Sequence, residues 1–169
     1  FSGTYAPGST FKPATACVGL QLGKITPTDT IYCSRKYTYY QDYQPKCLGY
    51  HRHTNVVRAI SVSCNYFFYE LGRRCGIDKL NEYCKSFGLG VPTGVEISEA
   101  NGILAGKEYR KQIGSYWNDG DTLQAAIGQS DNTFTPLQLA VYTSTLANSG
   151  NRYQAHLIKE VKDYSLKTT

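Results

Sequence analysis

Tyr5-Ala6-Pro7-Gly8-Ser9-Thr10-Phe11-Lys12 puts a serine where a helix begins and a lysine one turn further on. Pro7 and Gly8 interrupt whatever precedes them, and apolar residues then recur at helical spacing from Thr10 to Leu22. A lysine three residues after a serine shares its helix face and can reach its hydroxyl. Burial lowers the pKa of a lysine until it can accept a proton, and the backbone N–H groups of a helix start favour negative charge growing beside the serine. These are the parts of an acyl-transfer site. Set against that, Ser-x-x-Lys arises roughly once by chance in a chain this long, and a capping serine with an exposed lysine has the same spacing.

A second cluster, Ser63-Cys64-Asn65, runs on as Tyr66-Phe67-Phe68-Tyr69. Further along lie Phe87-Gly-Leu-Gly90 with Thr93-Gly-Val95, then Gly128-Gln129, then Thr135-Pro-Leu-Gln-Leu-Ala140. With the Pro-Gly before Ser9, these segments make the chain resemble the transpeptidase domain of a class B penicillin-binding protein along most of its length. Ser9 to Lys12 match that family's Ser-x-x-Lys motif and Ser63 to Asn65 its Ser-x-Asn motif.

The resemblance implies a mechanism. Ser9 would attack the D-Ala-D-Ala carbonyl of a peptidoglycan stem peptide, with Lys12 as the base. Ser63 would relay a proton to the leaving nitrogen, while Asn65 holds the substrate amide and orients Lys12. An acceptor amine resolves the acyl-enzyme, and a β-lactam stalls there; no cofactor is required for that chemistry. The family's third motif, Lys-Thr-Gly or Lys-Ser-Gly, is not found: Lys167-Thr168-Thr169 lacks the glycine and comes too early. The expectation is therefore a fragment, residues 1–169, of a larger transpeptidase domain. It would be catalytically crippled, because the family's second oxyanion donor comes from the third-motif strand. Two rivals share Ser9 and Lys12: a β-lactam sensor that acylates without turnover, and a serine β-lactamase, for which Glu96 or Glu99 would have to activate water.

Length and composition suit one globular unit, with 41% apolar and 18% charged residues in 169. No membrane-spanning run or signal peptide is visible. The resemblance places the full-length protein on the extracytoplasmic face of the bacterial membrane, beside a cell-elongation or division glycosyltransferase. The net charge of +5 is uneven, since Arg35, Lys36, Lys46, Arg52 and Arg58 crowd one region with only Asp42 among them. Such a patch suits an anionic partner or a solvated loop, and no nucleic-acid-binding signature accompanies it.

The fold expected is mainly α: the helical subdomain of the serine β-lactamase/transpeptidase-like fold, with at most a short C-terminal strand and most of the central sheet missing. Helices are predicted near 9–22, 54–63, 66–75, 78–87, 122–128 and 136–148, and a strand over Arg152 to Lys162. Two irregular stretches, 24–53 and 90–121, lie between. Helices deprived of a sheet would expose apolar surface, which predicts self-association.

Cys33, Cys47, His51 and Cys64 make Cys-x13-Cys-x3-His-x12-Cys, a set of four ligands for a structural Zn²⁺. Some family members resemble this in carrying a metal beside the second motif, a pattern that favours His51 over His53. If Ser63 and Asn65 face the active site, Cys64 faces away, toward the loop. A Cys33–Cys47 disulfide or buried free thiols are the alternatives, and Cys17, Cys75 and Cys84 fall on predicted helices as core residues. Tyr32, Tyr37, Tyr39, Tyr40, Tyr43 and Tyr50 either pack over the helices or stack on glycan sugars. Trp117, before Asn118-Asp119-Gly120-Asp121, edges the cleft or marks a turn.

Overall fold

The computed structural model describes residues 1–162, 164 and 165. Its first element differs from the expected helix in a way that matters for Ser9. Gly8–Phe11 forms a 3-10 turn, and α1 (Lys12–Gln21) follows directly. Ser9 therefore sits inside the turn, and no side chain caps either segment, so the capping role is excluded. Pro13 suits the first turn because its missing N–H would be unbonded there anyway.

Strands β1 (Ile31–Cys33) and β2 (Arg52–Thr54) pair antiparallel, with Tyr32 opposite His53. They lie in or beside a stretch that sequence periodicity leaves irregular, since three residues are too few to show alternation. Helices α2 (Val56–Ser61), α3 (Asn65–Cys75) and α4 (Ile77–Ser86) follow. A short α5 (Lys107–Gln112) interrupts the second irregular stretch. Next come α6 (Asp119–Ala125), opened by an Asn118/Asp121 capping box, and α7 (Pro136–Ala147). The predicted helices all form, and the chain is mainly α.

Buried α3 is the hub, packed against α1, α2, α4, α6 and β1. Phe67, Phe68 and Leu71 are at most 1% exposed. Gly72 lets α6 come close, because a Cβ there would lie 2.3 Å from that of Ala126.

The strand predicted over Arg152 to Lys162 does not form. Its residues are exposed apart from half-buried Ala155, so no buried face favours a strand there. Tyr153, Leu157, Ile158, Val161 and Tyr164 are left facing solvent. Lys167-Thr168-Thr169 lies outside the described residues. No helix among the described residues is long and apolar enough to cross a membrane.

Candidate active site

The Ser9 turn is held from two sides. Gly8 N donates to Gly128 O at 2.9 Å, and Tyr5 exchanges backbone hydrogen bonds with Phe134. Gly128 has φ +74°, and a Cβ on it would lie 2.1 Å from Gly8 O, so only glycine allows this approach. Behind the turn, Tyr142 of α7 accepts from Ala14 N at 2.9 Å and donates to Thr10 O at 3.2 Å. One hydroxyl thus satisfies an N–H left over at the start of α1 and ties the helix to α7.

Lys12 is 1% exposed. Its Nζ donates to Ser63 O at 2.9 Å, Ser63 Oγ at 2.8 Å and Asn65 Oδ1 at 2.6 Å. Ser63 Oγ in turn lies 2.9 Å from Ser9 Oγ. The Ser63 hydroxyl therefore bridges nucleophile and amine, and Ser9, Lys12, Ser63 and Asn65 form one connected network. Burial pushes the Lys12 amine down to about 8, against the opposing pull of the Cys47 and Cys64 thiols.

Ser63 occupies the bend between α2 and α3 at φ +51°, a left-handed conformation uncommon for a residue with a side chain. That bend turns Ser63 and Asn65 toward Lys12. Cys64 goes the other way: its Sγ accepts from Phe67 N at 3.5 Å, capping α3, and lies 3.9 Å from Cys47 Sγ.

The donor atoms of Cys33, Cys47, His51 and Cys64 all lie within 4.8 Å of one another. His51 Nδ1 is 3.7 Å from Cys33 Sγ and 3.5 Å from Cys47 Sγ. Tetrahedral Zn²⁺ with Zn–S of about 2.3 Å and Zn–N of about 2.0 Å sets sulfurs roughly 3.8 Å apart and sulfur and nitrogen roughly 3.5 Å apart. The donor set fits that ion in both chemistry and size. All six cysteines are free, so no Cys33–Cys47 disulfide is formed. The hydrogen bond with Cys64 pulls the Cys47 thiol below its ordinary value. His53 stands apart, with its ring against Tyr32.

The other residues singled out from sequence have structural partners. Glu99 accepts from Thr93 Oγ1 and Gly94 N, and Glu96 from Leu157 N and Ile158 N, so both carboxylates hold loops. Trp117 Nε1 donates to Thr122 Oγ1 at 3.0 Å. Cys75 and Cys84 are buried and Cys17 half-buried. Arg35, Lys36, Lys46, Arg52 and Arg58 are exposed. The contacts through Gly128 and Tyr142 are not apparent from the sequence, because each joins residues more than a hundred positions apart.

All 169 residues match the penicillin binding protein transpeptidase domain. The peptidoglycan D,D-transpeptidase MrdA of Acinetobacter baumannii is 36% identical over 93% of this chain and 24% of its own length. A crystal structure of Pseudomonas aeruginosa PBP2 in complex with WCK 5153 superposes with a TM-score of 0.87 at 35% identity, over 94% of this chain and 37% of that one. A complex of Helicobacter pylori PBP2 with MreC gives 0.84 at 30% identity, over 91% of this chain and 29% of that one. The chain thus spans about a quarter of the length of the curated relative. In sequence along its whole length and in fold, the chain belongs to the transpeptidase domain family of class B penicillin-binding proteins.

Proposed function

We propose that this chain carries the nucleophile half of a D,D-transpeptidase site that crosslinks peptidoglycan stem peptides through an acyl-serine. The observation that carries the reading is the continuous path from Ser9 Oγ to Ser63 Oγ at 2.9 Å and on to Lys12 Nζ at 2.8 Å. With Lys12 neutral, the two hydroxyl protons reverse direction, and Ser9 passes its proton through Ser63 to the amine. Ser9 Oγ then bonds to the carbonyl carbon of the penultimate D-Ala. The bond to the terminal D-Ala nitrogen breaks, and that nitrogen takes a proton back through Ser63. An acceptor amine attacks the ester and returns the serine proton. Residues 1–169 alone do not turn over in this reading, because a second oxyanion donor from the family's third motif is needed.

Zn²⁺ held by Cys33, Cys47, His51 and Cys64 is the second part of the proposal. It would supply no step of the reaction. Because Cys64 sits between Ser63 and Asn65, these ligands fix the bend that aims both residues at Lys12. The whole protein is read as extracytoplasmic, working beside a cell-elongation or division glycosyltransferase. The Helicobacter pylori relative solved in complex with MreC supports a setting within a larger assembly.

Denaturing mass spectrometry of the full-length protein after exposure to penicillin tests the central claim. A mass gain of one drug molecule, abolished by Ser9→Ala, is expected. An intact, folded protein that takes up no drug overturns it. Rapid loss of the adduct would point to a β-lactamase. A stable adduct without crosslinking of stem peptides would point to a sensor.

A further inference from the structure

Outside the catalytic network, the tyrosine-rich loop and α3 enclose a groove of about 390 Å³. Tyr66, Glu70 and Arg74 recur at four-residue spacing and line it from α3. That row is about 12 Å long and starts at the residue following Asn65. Tyr32 and Tyr39 line the groove as well and stay 54% and 59% exposed.

These rings are held in place. Tyr37 is buried and donates to Glu70 at 2.6 Å. Arg73, bonded to Glu70 at 2.8 Å, lays its guanidinium 3.9 Å from the centre of the Tyr39 ring. Tyr32 is braced by His53 across the β1–β2 ladder. Exposed aromatic rings fixed in advance lose little entropy on binding. Thr30 and Thr38, also on the wall, offer hydroxyls that can donate or accept. The chain segments around the groove's tyrosines also carry exposed Arg35, Lys36, Lys46 and Arg52, with Asp42 the only acidic residue between Thr30 and Arg58.

We propose that this groove binds the sugar backbone of a peptidoglycan strand. Hexose rings present apolar C–H faces that stack on tyrosines and hydroxyl rims that hydrogen-bond to threonine and arginine. The carboxylates of the stem peptides carried by neighbouring sugars meet the basic flank. Such a groove, starting beside the second motif, holds the glycan while its stem peptide enters the catalytic network. The identity of the polymer rests on the transpeptidase reading, whereas the ring-and-rim recognition does not.

The test uses full-length protein and end-labelled glycan strands stripped of stem peptides by an amidase, so that the probe carries no acyl donor. Tyr32→Ala and Tyr39→Ala are each expected to weaken binding about five-fold, the worth of one aromatic contact. Tyr39→Phe should bind as the unaltered protein does, and penicillin acylation should be unchanged in every variant. Unaltered glycan affinity in the double alanine variant, with normal acylation, overturns the proposal. So does equal binding of a single-stranded oligonucleotide of matched length, which would mark a general polyanion surface. Ring-dependent glycan binding by a protein that penicillin never acylates would support the groove and sink the active-site reading.

Discussion

Lys12 combines near-complete burial with three hydrogen-bond acceptors, all three of them on the second motif. Its amine titrates near 8, below the ordinary 10.5, chiefly because burial disfavours the charged form. Only the neutral amine accepts a proton. Penicillin acylation should therefore rise about tenfold per pH unit below 8 and level off above it. Stopped-flow acylation rates across pH 6 to 10 check this, and a flat profile would remove Lys12 as the base. Lys12→Arg, which cannot become neutral, should lower the rate about 10²- to 10⁴-fold. Gly128 makes the second prediction at this scale. An added Cβ meets Gly8 O at 2.1 Å and Phe11 Cβ at 2.7 Å, on a backbone at φ +74°. Strain and overpacking together should cost about 2–5 kcal/mol in chemical denaturation of Gly128→Ala. The surviving folded fraction should acylate slowly, because the turn carrying Ser9 has moved. Ser9, Lys12, Ser63 and Asn65 could be found from sequence since each motif is local and its chemistry constrains residue type. The Gly8–Gly128 contact could not, because glycine at a close approach looks the same in sequence as glycine in any turn.

Capping and periodicity made the helices legible, and α7 shows how far that goes. Thr135 accepts from Gln138 N while Gln138 Oε1 accepts from Thr135 N, a reciprocal cap with Pro136 in the first turn. Gln138 does more than cap. Fully buried, it also donates from Nε2 to Val91 O at 2.7 Å and Asn101 O at 2.8 Å, tying the loop around Thr93 to α7. Gln138→Ala leaves the buried Thr135 N–H without its partner and removes a donor from the Val91 and Asn101 carbonyls, which water can reach. At about 1–3 kcal/mol for a buried orphan, a loss of that size is expected in urea denaturation. A loss under 1 kcal/mol would mean that water replaces the amide there. The elements that sequence misplaced are those whose stability comes from elsewhere in the chain. β1 and β2 exist through each other, α5 is too short to show a repeat, and the alternation at 152–162 forms no strand among the described residues.

Across the whole molecule, the tyrosine-rich loop is fastened to the helices at several points. Tyr37 reaches Glu70 on α3, and Gln124 of α6 donates to Tyr43 at 2.6 Å. Burial alone would raise the Glu70 carboxyl, but hydrogen bonds from Arg73, Tyr37 and Arg74 outweigh it and hold the group at about 2. The deepest fastening is the Cys33, Cys47, His51 and Cys64 cluster, which gathers β1, the loop, the approach to β2 and the second motif at one point. Sequence spacing brought out these four residues, yet spacing alone could not choose between zinc, disulfide and free thiols, and zinc is the reading proposed above. Full-length protein purified without chelator should therefore contain about one zinc per chain by elemental mass spectrometry. Stripping the metal should lower the melting temperature and slow penicillin acylation, since Ser63 and Asn65 flank a ligand. Restoring Zn²⁺ should recover both. His51→Ala should behave like the stripped protein although it replaces no member of the catalytic network, whereas Cys75→Ala should keep its metal. A metal-free protein that acylates at the full rate would leave the cluster as packed thiols, and the geometry of the second motif would then rest on the α2–α3 bend alone.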